Sequence, residues 1–88
     1  MSDLRLTLLT KPGCHLCDDA REVLSSVLSS AAVAAADLTV TVDELNILDD
    51  DALLKKYAEE IPVLLINDRM HSYWHIDPTR LTQALLES

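Results

Sequence analysis

Cys14 and Cys17 are the only cysteines of an 88-residue chain, and they follow directly on its only glycine in the run Thr10-Lys11-Pro12-Gly13-Cys14-His15-Leu16-Cys17. Thiols this close do not staple a fold, because a bridge between them closes a very short loop and removes little chain entropy. The spacing suits thiol–disulfide exchange, in which one thiolate attacks a disulfide and a second thiol then displaces the product. A free thiol, with a pKa of roughly 8.5, is only a few per cent thiolate at neutral pH, so a useful site must favour the charged form. A helix start does this with its unpaired N–H groups and the positive end of its dipole. Cys14 falls where a turn gives way to a helix, whereas Cys17 lies one turn in and is expected to be the more buried. Cys14 is therefore assigned the attack and Cys17 the resolution. Lys11 and a protonated His15 favour a thiolate, while Asp18 and Asp19 oppose it. The backbone acts directly on Cys14 and the carboxylates can turn to water, so net stabilisation of the Cys14 thiolate is expected.

Other readings of the same residues are weaker. Buried small apolar cysteines need no two-residue spacing at a helix start. A metal site of Cys14 and Cys17 with His71 or His75 lacks the second Cys-x-x-Cys that completes a zinc set, so no metal is expected. The run Asp49-Asp50-Asp51 reads as a solvated helix cap, and Tyr57, Tyr73 and Trp74 read as core or edge packing.

The elements around the cysteine pair follow from periodicity. Leu4-Arg5-Leu6-Thr7-Leu8-Leu9-Thr10 alternates and then turns continuously apolar, as a strand does on entering a core covered on both faces. Lys11-Pro12-Gly13 ends it. From His15 the period becomes helical, with Leu16, Ala20, Val23, Leu24, Val27, Leu28 and Ala31 on one stripe and Ser25, Ser26, Ser29 and Ser30 opposite. The alanine-rich stretch 31–36 is a candidate to prolong this helix, with Val33 and Asp37 near its end. Leu38-Thr39-Val40-Thr41-Val42 is a second strand whose phase slips at Asp43-Glu44, either by ending or by a bulge. A short helix over 52–58 turns Leu53, Leu54 and Tyr57 inward. Ile61-Pro62-Val63-Leu64-Leu65-Ile66 is a buried strand with proline at its very start, where a missing N–H does least harm. Asn67-Asp68-Arg69 turns the chain into a fourth strand, Met70-His71-Ser72-Tyr73-Trp74. Asp77-Pro78 opens a closing helix with Leu81, Ala84 and Leu85 inward. The order β-α-β-α-β-β-α predicts an α/β fold, a four-stranded mixed sheet with helices on both faces.

Composition narrows the class. The length fits one domain over residues 1–88 with a modest core. Apolar residues make up 49% of the chain, yet no run reaches the length that crosses a bilayer, and the start Met1-Ser2-Asp3-Leu4-Arg5 does not read as an export segment. A cytoplasmic monomer is expected. A net charge of −8 with seven scattered Lys and Arg argues against nucleic acid and anionic membrane as partners and leaves basic proteins open.

With these residues in place the chain resembles the thioredoxin superfamily, and within it the glutaredoxin-like proteins. The resemblance rests on the strand ending Thr10-Lys11-Pro12-Gly13-Cys14-His15-Leu16-Cys17, the elements in order, and Ile61-Pro62 before the third strand. It implies a thioredoxin-like fold, a cis Pro62 lying against the cysteine pair, and Ile61 backbone groups that pair with a substrate strand. It implies a thiol–disulfide oxidoreductase with no bound cofactor, acting on a disulfide-bearing protein or a glutathione mixed disulfide and recharged by a thiol reductant system, with glutathione a candidate reductant or co-substrate. Lys11 would meet a glutathione carboxylate and Asp77 its amine end. The chain departs from the glutathione pattern in having His15-Leu16 between the cysteines, Glu60-Ile61-Pro62 at the proline, and Tyr73-Trp74-His75-Ile76-Asp77 where a Gly-Gly pair usually stands. The competing class is a noncatalytic thioredoxin-like binding module, holding metal or an iron–sulfur cluster through Cys14.

Overall fold

The computed structural model describes residues 2–36 and 38–87, which leaves Met1, Asp37 and Ser88 outside the described residues. Nine elements follow one another: β1 (Ser2–Thr10), α1 (His15–Leu28), α2 (Ala31–Ala35), β2 (Leu38–Asn46), a 3-10 turn (Ile47–Asp49), α3 (Asp51–Tyr57), β3 (Val63–Ile66), β4 (Arg69–Tyr73) and α4 (Pro78–Leu86). The sheet order is β2-β1-β3-β4, with β1 parallel to β2 and antiparallel to β3, and β3 antiparallel to β4. This is the mixed four-stranded sheet and thioredoxin-like arrangement expected from the sequence.

Alternation along β1 divides the interior in two. Leu4, Leu6 and Leu8 pack with Ala20, Leu24, Val27, Val33, Leu64, Leu81 and Leu85, joining the sheet to α1, α2 and α4. Leu9 and Val63 instead share a cluster with Cys17, Ile47, Tyr57 and Ile61, with Leu53 and Leu54 of α3 against it. Cys17 thus sits in the cluster on which α3 closes, although it belongs to α1.

Two local expectations change. The helix does not run on into the alanines: α1 stops at Leu28, and Ser30, with extended backbone, caps a separate α2 through its side chain, which accepts from the Val33 N–H at 3.4 Å. A serine hydroxyl that offers the backbone an alternative acceptor restarts a helix more readily than it continues one. The slip at Asp43-Glu44 is neither a strand end nor a bulge, since β2 stays in step with β1 from Leu38 to Asn46. As an edge strand with one flank in water, β2 can place Val42 and Leu45 in partial exposure without losing register. The irregularity lies in β4, where Leu64 pairs with Ser72 and Leu65 with Met70, so His71 is the extra residue. The β3–β4 turn needs two residues with positive φ, and Asn67 (φ 51°) and Asp68 (φ 68°) supply them. The expected cap Asp50 accepts from the Ala52 and Leu53 N–H groups at 2.9 and 3.2 Å and starts α3. Among the described residues no helix is long and apolar enough to cross a membrane.

Candidate active site

β1 ends at Thr10, and the turn to α1 passes through Gly13 at φ +74°, a conformation that residues with a side chain enter only with strain. Cys14 then takes extended backbone (φ −98°, ψ 112°) and becomes the N-cap of α1. Its Sγ accepts the Cys17 N–H at 3.1 Å, the role that a Ser, Thr or Asp oxygen usually plays. Such a bond strengthens when the acceptor carries charge. The two thiols are free and differ in access, Cys14 half-buried and Cys17 with 0% of its surface exposed. Burial, together with the hydrogen bond to Cys14 and its charge, pushes the Cys17 thiol up to about 11, against smaller opposing effects from the Lys11 backbone and Arg21. Cys17 is therefore held as a neutral thiol while Cys14 stands at the surface, the asymmetry that the spacing predicted.

Asp18 and Asp19 both face water, as expected, and Asp18 is also paired. Asp18 alone occupies the first turn of α1, and its Oδ1 accepts from Arg21 Nη1 at 2.6 Å. Arg21 also makes a two-pronged bond across to the edge strand, Nε to Glu44 Oε1 at 2.7 Å and Nη2 to Glu44 Oε2 at 2.9 Å, and Thr10 Oγ1 donates to Glu44 Oε2 at 3.4 Å. The Arg21 guanidinium holds the Glu44 carboxyl below the usual carboxylate range, and Glu44 in turn raises the guanidinium. Arg21 and Glu44 were absent from the sequence-based site. The available signal was spacing, because Arg21 stands four residues after Cys17 and shares its helix face. Lys11 and His15 are exposed beside the pair.

The Ile61–Pro62 peptide bond is cis, as the resemblance implies. Pro62 is fully buried; Ile61, nearly so, belongs to the cluster that contains Cys17 and against which Cys14 packs. Among the described residues neither the N–H nor the C=O of Ile61 takes a hydrogen bond. Trp74 closes this side: its backbone N–H donates to the carbonyls of Pro62 at 2.9 Å and Glu60 at 3.4 Å, and its indole Nε1–H donates to the Glu59 carbonyl at 2.9 Å. Tyr57 is core, and Tyr73 and Trp74 pack edge to face at the sheet edge, within the core-or-edge expectation, with about half of each exposed. They sit where the strand ends at a sheet edge, so no element covers them.

Asp77 has a structural task, accepting the Thr79 and Arg80 N–H groups through Oδ1 at 2.8 and 3.3 Å and capping α4. His71 is half-buried in β4, its imidazole pushed down by burial and by Arg80, while His75 is exposed. No three of the described His, Cys, Asp and Glu residues gather into a metal-holding group. The structure thus brings Cys14, Cys17, Ile61 and Pro62 together, sets Lys11 and His15 at their margin, and uses Asp77 as a cap.

Comparison with known proteins adds to this geometry. A family model described as "Glutaredoxin-like domain (DUF836)" matches residues 5–86. The Mycobacterium tuberculosis (strain ATCC 25618 / H37Rv) protein Rv0508 is 31% identical over 88 residues, covering 100% of this chain and 89% of its own. Among solved structures, the Northeast Structural Genomics target protein XcR50 from X. campestris superposes with a TM-score of 0.72 at 30% identity, over 94% of this chain and 97% of that one. Protein Ne2328 from Nitrosomonas europaea superposes with a TM-score of 0.73 over 92% of this chain and 89% of that one, a likeness of fold at 19% identity.

Proposed function

We propose that this chain, which belongs to the Glutaredoxin-like domain (DUF836) family, is a thiol–disulfide oxidoreductase that reduces protein disulfides through Cys14. The observation that carries the reading is the helix cap: Cys14 Sγ receives the Cys17 N–H at 3.1 Å at the mouth of α1, with Cys17 enclosed one turn behind it. The Cys14 thiolate attacks one sulfur of the substrate disulfide, forming a Cys14 Sγ–S bond and releasing the other sulfur as a thiolate. Cys17, on giving up its proton, attacks Cys14 Sγ; the Cys14–Cys17 disulfide forms and the substrate leaves as a thiol. Two electrons have then passed to the substrate, and an external thiol reductant restores the pair. The unpaired N–H and C=O of Ile61 suit strand-like docking of the substrate backbone.

A protein disulfide fits this site better than a glutathione one. Asp77 already spends its Oδ1 on the α4 cap, Glu60 stands beside the proline, and Lys11 is left as a single cationic contact for an anionic tripeptide. We place the reaction in the cytoplasm, where thiols are kept reduced. Substituting Cys17→Ser and mixing the protein with a disulfide-bearing lysate tests the reading. A covalent adduct on Cys14, released by dithiothreitol and identified by mass spectrometry, is expected; the absence of any adduct on Cys14 would overturn it.

A further inference from the structure

Trp74 is the chain's one tryptophan, and it is held in an unusual way. Its φ of +62° lies in the left-handed region, which bulky side chains enter rarely. Three hydrogen bonds, two from the backbone N–H and one from the indole, secure it to the carbonyls of residues 59, 60 and 62. The usual outcome of such anchoring is burial, but here 51% of Trp74 and 47% of Tyr73 face solvent. The two rings meet edge to face, with centroids 5.1 Å apart and planes at 78°, so the pair is a stiff surface. It stands on the same short segment that presents the unpaired Ile61 backbone, next to the cluster holding Cys14 and Cys17. Acidic residues lie close in the chain: Glu59 and Glu60 supply the backbone carbonyls that hold Trp74 and Asp77 follows three residues on, while the nearest lysines, Lys55 and Lys56, end α3, with Lys56 Nζ over the Tyr57 ring. Exposed aromatic faces beside carboxylates are a setting for a Lys or Arg side chain, which gains both cation–π and ionic attraction there.

We propose that the Tyr73–Trp74 pair, with Glu59 and Glu60, docks a cationic protein segment that carries the disulfide, with Lys or Arg next to the reacting cysteine. This inference rests on the proposed disulfide reduction and names its substrate class. An extended segment lying along Ile61 with its cysteine at Cys14 sends neighbouring side chains toward the 59–60 and 73–74 residues, and a net charge of −8 steers a basic partner inward.

The test uses the whole reduced protein and three peptides, each a mixed disulfide with thionitrobenzoate, with Lys, Gln or Glu on both sides of the cysteine. The Lys peptide is expected to react roughly tenfold faster than the Glu peptide at low salt, with the ratio shrinking in high salt. Overall charge alone favours the Lys peptide, so Trp74→Ala is decisive: it leaves net charge untouched, and the ratio is expected to fall at least about threefold. An unchanged ratio in folded Trp74→Ala overturns the inference. A measurement independent of that variant's folding and of redox chemistry uses the fluorescence of Trp74 itself. Peptides with Ser in place of Cys are expected to give a saturable change with flanking Lys and none with flanking Glu; no change with Lys overturns docking. Reduction of neutral hydroxyethyl disulfide separates the two failures. If Cys14 reduces it while the peptides show no charge preference, only the substrate class falls, whereas no reaction at Cys14 with any disulfide removes the proposed function.

Discussion

In the proposed reaction Cys17 determines how long a mixed disulfide survives on Cys14, and its burial is expected to set a rate that pH changes. With its thiol pushed up to about 11, only about one Cys17 in ten thousand is ionised at pH 7. Once Cys14 is tied up in a mixed disulfide, its charge and its acceptor role toward Cys17 are lost, and two of the effects that raise Cys17 go with them. Burial, the largest, remains. Resolution is therefore expected to accelerate about tenfold per pH unit between about pH 6 and 8, because it follows the Cys17 thiolate fraction. Rapid acid quenching at timed intervals after mixing with a model disulfide, followed by mass spectrometry of the adduct, measures that rate. In Cys14→Ser the Cys17 thiolate absorbance at 240 nm should titrate above the ordinary thiol value of 9.0 yet below about 11, since burial persists and the Cys14 contributions are removed. The sign for stability follows the same shift. A folded-state value raised above the unfolded one stabilises the reduced protein fully below about pH 9, and that contribution, about 2 to 3 kcal/mol for a fully enclosed group, is lost as pH rises toward 11. A Cys17 titration at or below 9.0 in Cys14→Ser, or a resolution rate flat from pH 6 to 8, would refute the enclosure of Cys17 as the controlling feature.

Arg21→Gln removes the two-pronged bond to Glu44 and the bond to Asp18; because both side chains are about 40% exposed (41% and 42%), the loss should be only about 0.5 to 1 kcal/mol, or a few degrees in thermal midpoint. Since Arg21 lowers Glu44, this contribution is present above the ordinary carboxylate range and lost as pH falls through it, so the gap between wild type and variant in thermal melts should close on acidification; a gap that persists at pH 2 to 3 would assign the effect to packing. Asp77→Ala should cost about 1 kcal/mol by uncapping α4, read as a lower urea midpoint with an unchanged slope, and Asp77→Asn should restore most of it; a loss shared equally by Asn would point to the charge of Asp77 instead of its capping acceptor.

Local signals carry as far as local interactions do. The helical stripe from Leu16 to Leu28, the caps at Asp50 and Asp77, the strand with proline before it and the two-residue cysteine spacing all follow from residues a few positions apart, and each stands in the structure where the sequence indicates. The assignment of Cys14 to the exposed mouth and Cys17 to the interior belongs to this class, since a cap and a position one turn inside differ in burial on any helix packed against a sheet. The serine break between α1 and α2 lies at its limit, because Ser30 is compatible with a helix interior or a cap and the packing of Val33 decides between them.

What lay outside the sequence reading depends on pairs far apart in the chain. Arg21 meets Glu44 only because β2 runs parallel to β1 in unbroken register, which carries the carboxylate beside α1. Trp74 meets residues 59–62 only because β3 and β4 form a hairpin that returns the chain to the proline. Composition and period leave an aromatic residue between core and edge, and they carry no information on how far a sheet edge leaves it uncovered. The sequence by itself therefore determined the fold and the unequal burial of the two cysteines. The tertiary structure decided the ion-pair clamp beside them and the exposed aromatic pair over residues 59–62, since both are made by strand register bringing distant residues into contact.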